Sequence, residues 1–117
     1  DANRAAISLM LGIRAAYETP GSRMVVSGNL GPRGDGYRDD LRMSADEARA
    51  YHQAQIDTFA GTDADMVAAF TMNYVEEAIG IGLAARAAAM PIVLSFTLET
   101  DGRLPSGMPL AGQRSIT

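Results

Sequence analysis

The chain has 117 residues, 47% of them apolar and 21% charged, a globular composition long enough for one domain with a real core. Its net charge of −4, from ten Lys+Arg against fourteen Asp+Glu with no basic run, argues against a surface that tracks nucleic acid. With no cysteine and a single histidine, His52, it excludes disulfides, cysteine nucleophiles and thiolate metal centres, and no apolar stretch approaches the ~18 residues of a membrane span.

Residues 3–17 read as a helix. Ala6, Leu9, Met10, Ile13, Ala16 and Tyr17 recur with a 3.6-residue period and form its expected packing stripe. Thr19-Pro20-Gly21 ends it, because proline cannot continue the ladder and glycine opens a turn. A short apolar run over 24–28 reads as a first strand, followed by fifteen residues, Asn29 to Met43, without period. Ser44-Ala45-Asp46-Glu47 is a capping box, in which hydroxyl and carboxylate each satisfy one free N–H of a helix start. The helix it opens, over 44–60, carries Ala45, Ala48, His52, Ile56 and Phe59 on one face. A second strand is expected over 66–70 and a third helix over 74–89. Glu76, Glu77 and Arg86 of that helix match the sign of its macrodipole. Gly80 and Gly82 within it each cost about 1 kcal/mol against alanine, which points to close approach of the helix to a strand. Pro91 leads into a third strand over 92–96, and the remainder is rich in turn residues.

Apolar runs without alternation, separated by amphipathic helices, indicate parallel strands buried on both faces. The long segments follow strands, whereas the helix-to-strand links are short. Such an arrangement places the elaborated, polar end at the C-terminal ends of the strands, where α/β folds carry their sites. Three parallel strands make a poor independent sheet, since both outer strands keep unpaired backbone groups. The expected class is therefore α/β, a run of parallel βα units forming part of a (β/α)8 barrel, with self-association or a partner chain covering what is left open.

Three strand-end segments then stand out: Ser27-Gly28-Asn29-Leu30-Gly31-Pro32-Arg33-Gly34-Asp35-Gly36-Tyr37, Thr71-Met72-Asn73-Tyr74-Val75-Glu76-Glu77-Ala78, and Ser95-Phe96-Thr97 continuing to Pro109-Leu110. In order and spacing they resemble successive motifs of the homocysteine S-methyltransferase family: a Gly-Pro-x-Gly-Asp turn, an x-x-Glu-Ala helix opening and a Ser-Phe-Thr…Asp-Gly…Ser-Gly-x-Pro-Leu segment. The likeness covers residues 1 to about 110 of a single partial-barrel domain, leaving 111–117 as a divergent tail, and corresponds to the third, fourth and fifth barrel strands. It implies methyl transfer from a sulfonium, ammonium or folate donor to a small thiol such as homocysteine in the complete barrel. By the same resemblance, Gly31, Asp35, Thr71, Asn73, Ser95 and Thr97 would supply walls of the substrate pocket. The family's zinc is held by three cysteines, none of which lies in this span, so the chain itself is expected to bring no metal ligand. Phe70 stands where many members carry a glutamate that contacts the substrate's amino group. With no secretory signal visible, the expected location is cytoplasmic.

Each candidate also has a plainer reading. Gly31 to Tyr37 can be a surface turn that needs positive φ at its glycines. Its spacing fits neither a phosphate loop nor a dinucleotide fingerprint. His52 lies on an apolar stripe and reads as a structural histidine rather than a catalytic one. Glu76 and Glu77 read as first-turn acids, because adjacent helix residues point apart and do not form a carboxylate pair. Ser95 and Thr97 share one side of the third strand, which is either the barrel interior or the helical layer. Glu99 and Asp101 can equally be solvated acids.

Overall fold

Asp1 caps the first helix, α1 (Ala2–Tyr17), by accepting the Arg4 N–H at 3.0 Å. The computed structural model describes residues 1–34 and 41–111. Along the chain, α1 is followed by β1 (Ser27–Leu30), α2 (Ala45–Ala60), β2 (Met66–Met72), α3 (Val75–Ala87) and β3 (Ile92–Phe96). The three strands form one sheet in the order β1-β2-β3, and both pairings are parallel. This is the expected alternation of parallel βα units.

The packing face of α1 differs from the expected stripe. Only Ile7 is buried, with Leu11 packed against the core beside it, while Leu9 is 65% and Tyr17 69% exposed. Met10 and Ile13 are exposed as well. The helix touches α2 and, less extensively, β1, so only the edge that faces these two elements is covered. Ala6 and Met10 of the expected stripe border a cleft shared with Val25, Val26 and Phe59, while Leu9, Ile13 and Tyr17 stay exposed.

The first strand also sits further on than the apolar run suggests. At 24–26 the backbone donors are taken by side chains: Met24 N–H goes to Glu18 Oε2 at 2.8 Å and Val26 N–H to Asp65 Oδ2 at 2.9 Å. Ladder pairing therefore begins at Ser27, opposite Met66, and continues to Leu30, opposite Ala69. The second strand runs two residues beyond expectation, to Met72, and the third occupies the expected 92–96.

All three helices lie on one face of the sheet. Leu30, Val67, Ala69 and the partly buried Ile92, Leu94 and Phe96 join Ile56, Phe59 and Ile81 in one core between helices and strands. By the period-2 alternation of a strand, Ala68, Phe70, Val93 and Ser95 point to the other face. Phe70 and Val93 are about half exposed there. Ser95 therefore stands on the face away from the helices, the side that would be interior in the expected barrel.

Both expected roles for helix glycines need revision. A Cβ at Gly80 would lie 2.5 Å from Ala48 Cβ and 2.6 Å from the Ala45 carbonyl, so Gly80 brings α3 against α2 and not against a strand. Gly82 has open space around its Cβ position and serves no close approach. At the far end of the sheet, the Asp65 carboxylate accepts from Val26 N–H and from Arg14 Nη1 at 2.7 Å, tying α1, β1 and the start of β2 together. The Val26 N–H holds Asp65 below the ordinary carboxylate value; desolvation opposes it, and the Arg14 guanidinium adds to the lowering. Among the described residues, no helix is long and apolar enough to cross a membrane.

Two outcomes follow from this packing. Gly80→Ala overpacks the α2–α3 contact and should cost about 1–3 kcal/mol, read from the urea midpoint. Asp65→Asn should lower the melting temperature at neutral pH. Because the folded-state pKa of Asp65 lies below its unfolded value, its contribution is complete above the ordinary 3.8 and is lost as pH falls through the folded value. The difference between Asp65→Asn and the parent should accordingly close on acidification below about pH 4.

Candidate functional site

Because the strands are parallel and in register, their C-terminal ends meet at one end of the sheet. Gly31 directly follows β1 there and is exposed. Thr71 is the next-to-last residue of β2, and Asn73, 9% exposed, follows the strand. Ser95 lies in β3, while Thr97 extends it by donating its N–H to the Met72 carbonyl at 2.9 Å. Five of the six expected pocket residues thus gather at one end of the sheet. The sixth, Asp35, lies outside the described residues, as do Gly36 and Tyr37.

The end of β2 is irregular. Pairing with β3 shifts between Ala69 and Met72, and Thr71 adopts φ 60, a left-handed conformation that is unusual for a β-branched residue. Its Oγ1 donates to the Phe70 carbonyl at 2.6 Å. Beyond β3, Glu99 to Pro109 is built from two turns closed by Gly102 N–H to Glu99 O at 3.0 Å and Gly107 N–H to Leu104 O at 2.8 Å. Both glycines take positive φ, and Leu104, 1% exposed, anchors the segment. Glu99 and Asp101 are solvent-facing; Asp101 accepts the Arg103 N–H at 3.0 Å.

Behind the first of these strand ends lies a buried polar cluster. Glu77, in the first turn of α3, has no exposed surface, and its Oε1 accepts the Arg33 backbone N–H at 2.7 Å. The same oxygen lies 2.9 Å from Nε2 of His52, itself 2% exposed. Oε2 is enclosed without a hydrogen-bond partner among the described residues. Tyr74 Oη accepts the Met43 N–H at 2.9 Å, and Met43 Sδ lies 3.5 Å from Arg33 Nη1. The Arg33 guanidinium sits 4.6 Å above the Tyr51 ring, which meets the His52 ring edge-on at 4.8 Å. Burial raises the Tyr74 phenol above its ordinary pKa; the Met43 N–H draws it back, and the neighbouring charges of Glu77 and Glu76 reinforce the rise.

The cluster corrects one reading and extends another. Glu76 is exposed and is the plain first-turn acid expected, but Glu77 is a fully enclosed carboxylate with specific partners. His52 lies in the helical layer, as its stripe implied, and its ring meets that carboxylate. Sequence periodicity assigns each residue to a helix face but does not pair faces across two helices. The available signal was a His on the apolar stripe of α2 and an acid on the same face of α3 as Gly80.

Residues 1–115 match the family model described as homocysteine S-methyltransferase. The structure is similar to that of the homocysteine methyltransferase MmuM from Escherichia coli in its apo form, with a TM-score of 0.80 and 24% sequence identity. The superposition covers 95% of this chain and 42% of that one, so the chain spans less than half the length of this neighbour. No curated protein matches the chain.

Removing the phenol oxygen tests how firmly the loop before α2 is held. Tyr74→Phe leaves the buried Met43 N–H without its acceptor, a loss of about 1–3 kcal/mol. Chemical denaturation monitored by far-UV circular dichroism should show that decrease with an unchanged m-value.

Proposed function

Since the chain belongs to the homocysteine S-methyltransferase family, we propose that it forms the wall of a thiol-methylating pocket in a (β/α)8 barrel. The observation that carries this reading is the family match over residues 1–115. It is supported by the gathering of the Gly31, Thr71, Asn73, Ser95 and Thr97 positions at one end of the sheet. In this reading the substrate is a small thiol and the methyl donor a sulfonium, ammonium or folate. Gly31 borders one wall; Thr71, Asn73, Ser95 and Thr97 offer hydroxyl and amide groups along the others. Phe70, half exposed on the face away from the helices, makes that surface apolar where many members carry a glutamate.

The zinc that the family implies does not fit the residues present. The chain has no cysteine. Its one imidazole is enclosed against Glu77 Oε1. Among the described residues no three His, Cys, Asp or Glu side chains converge on a metal position. Three carboxylates are in any case an unusual set for zinc. The chain's part in this reading is substrate contact and orientation.

A second reading is favoured by the exposed apolar stripe of α1 and by Val25, 68% exposed at the start of the sheet edge. In it the chain is an associating or scaffold module without chemistry, its open edge and stripe covered by another copy or a partner chain.

One assay separates the two. The protein carrying this chain, loaded with zinc, is offered homocysteine and labelled sulfonium, ammonium or folate donors in turn. Under the first reading label reaches the thiol from at least one donor, and Ser95→Ala or Thr97→Val lowers kcat/KM by roughly tenfold, the loss of one hydrogen bond to substrate. Absence of transfer from all three donors, with self-association by light scattering, would decide for the scaffold.

A further inference from the structure

A carboxylate with no exposed surface is costly unless its charge is met by fixed donors. Glu77 is met from three sides. It lies in the first turn of α3, where the free N–H groups favour an anion. On α2, His52 presents Nε2 at 2.9 Å; from the loop after β1, the Arg33 N–H arrives at 2.7 Å. Two of the three belong to the helical layer and are rigidly placed, since Gly80 brings α3 into backbone contact with α2. Arg33 alone comes from a loop. The carboxylate therefore ties that loop to the helices, which the exposed Gly31 and Gly34 on either side of Pro32-Arg33 do not do for themselves.

We propose that Glu77, oriented by His52, is a positioning residue that sets the pose of the Gly31–Gly34 turn at the C-terminal end of β1. The carboxylate takes the Arg33 amide on the oxygen that His52 also meets, so the imidazole fixes which oxygen faces the loop and at what angle. Stacking of the Arg33 guanidinium on Tyr51 and its approach to Met43 Sδ hold the same residue by its side chain. Both grips come from the helix side. That the turn meets a substrate rests on the methyltransferase reading; that Glu77 positions it does not.

The test needs no substrate, so its failure is distinct from a failure of the assay above. Residue-resolved amide exchange by NMR is compared in the parent chain, Glu77→Ala, Glu77→Gln, Glu77→Met and His52→Leu. The expected result is selective: in Glu77→Ala the Arg33 amide exchanges on the order of ten- to a hundredfold faster, the equivalent of one charge-assisted hydrogen bond. Ala68 and Ala69 in the central strand should keep their protection. Glu77→Gln retains an acceptor oxygen and should restore most of the Arg33 protection, whereas Glu77→Met, which fills similar space without a comparable acceptor, should not. His52→Leu removes the orienting ring and should speed Arg33 exchange by a smaller factor; together with Glu77→Gln it carries the test if Glu77→Ala does not fold. Arg33 protection unchanged in every folded variant, or a loss spread equally over Ala68 and Ala69, overturns the proposal.

Discussion

The contact of α2 with α3 at Gly80 is the constraint on which the polar cluster depends. Without a side chain at this position, the backbone of α3 comes against Ala48 Cβ and the Ala45 carbonyl. Gly80 and Glu77 are three residues apart on α3, and Ala48 and His52 four apart on α2, spacings that put each pair on one helix face. The approach that buries Gly80 thus carries Glu77 to His52. A larger residue at 80 would separate the helices and leave an enclosed carboxylate without its imidazole. Leaving a buried polar group without its hydrogen-bond partner costs about 1–3 kcal/mol, at least as much as the roughly 1 kcal/mol that glycine costs in a helix. Glycine is the cheaper solution.

Much of the architecture was legible because each helix and strand carries its own period. The capping box at Ser44 formed as read, with Glu47 N–H to Ser44 Oγ at 3.2 Å and Ser44 N–H to Glu47 Oε2 at 2.9 Å. Of the expected α2 stripe, Ala48, His52, Ile56 and Phe59 are buried and Ala45, at its start, is partly so. Misreadings arose where local pattern and available neighbours disagree. In α1 the stronger apolar stripe is left largely exposed among the described residues, and the edge through Ile7 and Leu11 packs instead. At 24–26, Glu18 and Asp65 capture backbone donors from elsewhere in the chain, which a window over the strand cannot register. Of the candidate site, the strand-end positions were legible as segments that follow strands. The Glu77–His52 pair was not, because it depends on how two helices cross.

Thr71 shows how the end of β2 departs from simple alternation. Val67 and Ala69 face the helices, so a regular strand would send residue 71 into the core and residue 72 out of it. The observed order is the reverse: Met72 is fully buried and Thr71 is exposed. The register shift between Ala69 and Met72 inserts the extra step, and Thr71 absorbs it at φ 60. For a β-branched residue that conformation costs on the order of 1–3 kcal/mol, offset in part by its Oγ1 bond to the Phe70 carbonyl and by complete burial of the Met72 side chain, itself worth about 1.5–3 kcal/mol. The balance is close enough for the irregularity to persist, and it has a directional effect. It keeps a large apolar side chain in the core at the last turn of the strand while turning a hydroxyl-bearing residue outward, beside Asn73 and the ladder bond to Thr97. Strain of this kind survives where the surrounding packing over-determines it. Here the core on one side and the β3 ladder on the other do so, at the same end of the sheet where Gly31 follows β1.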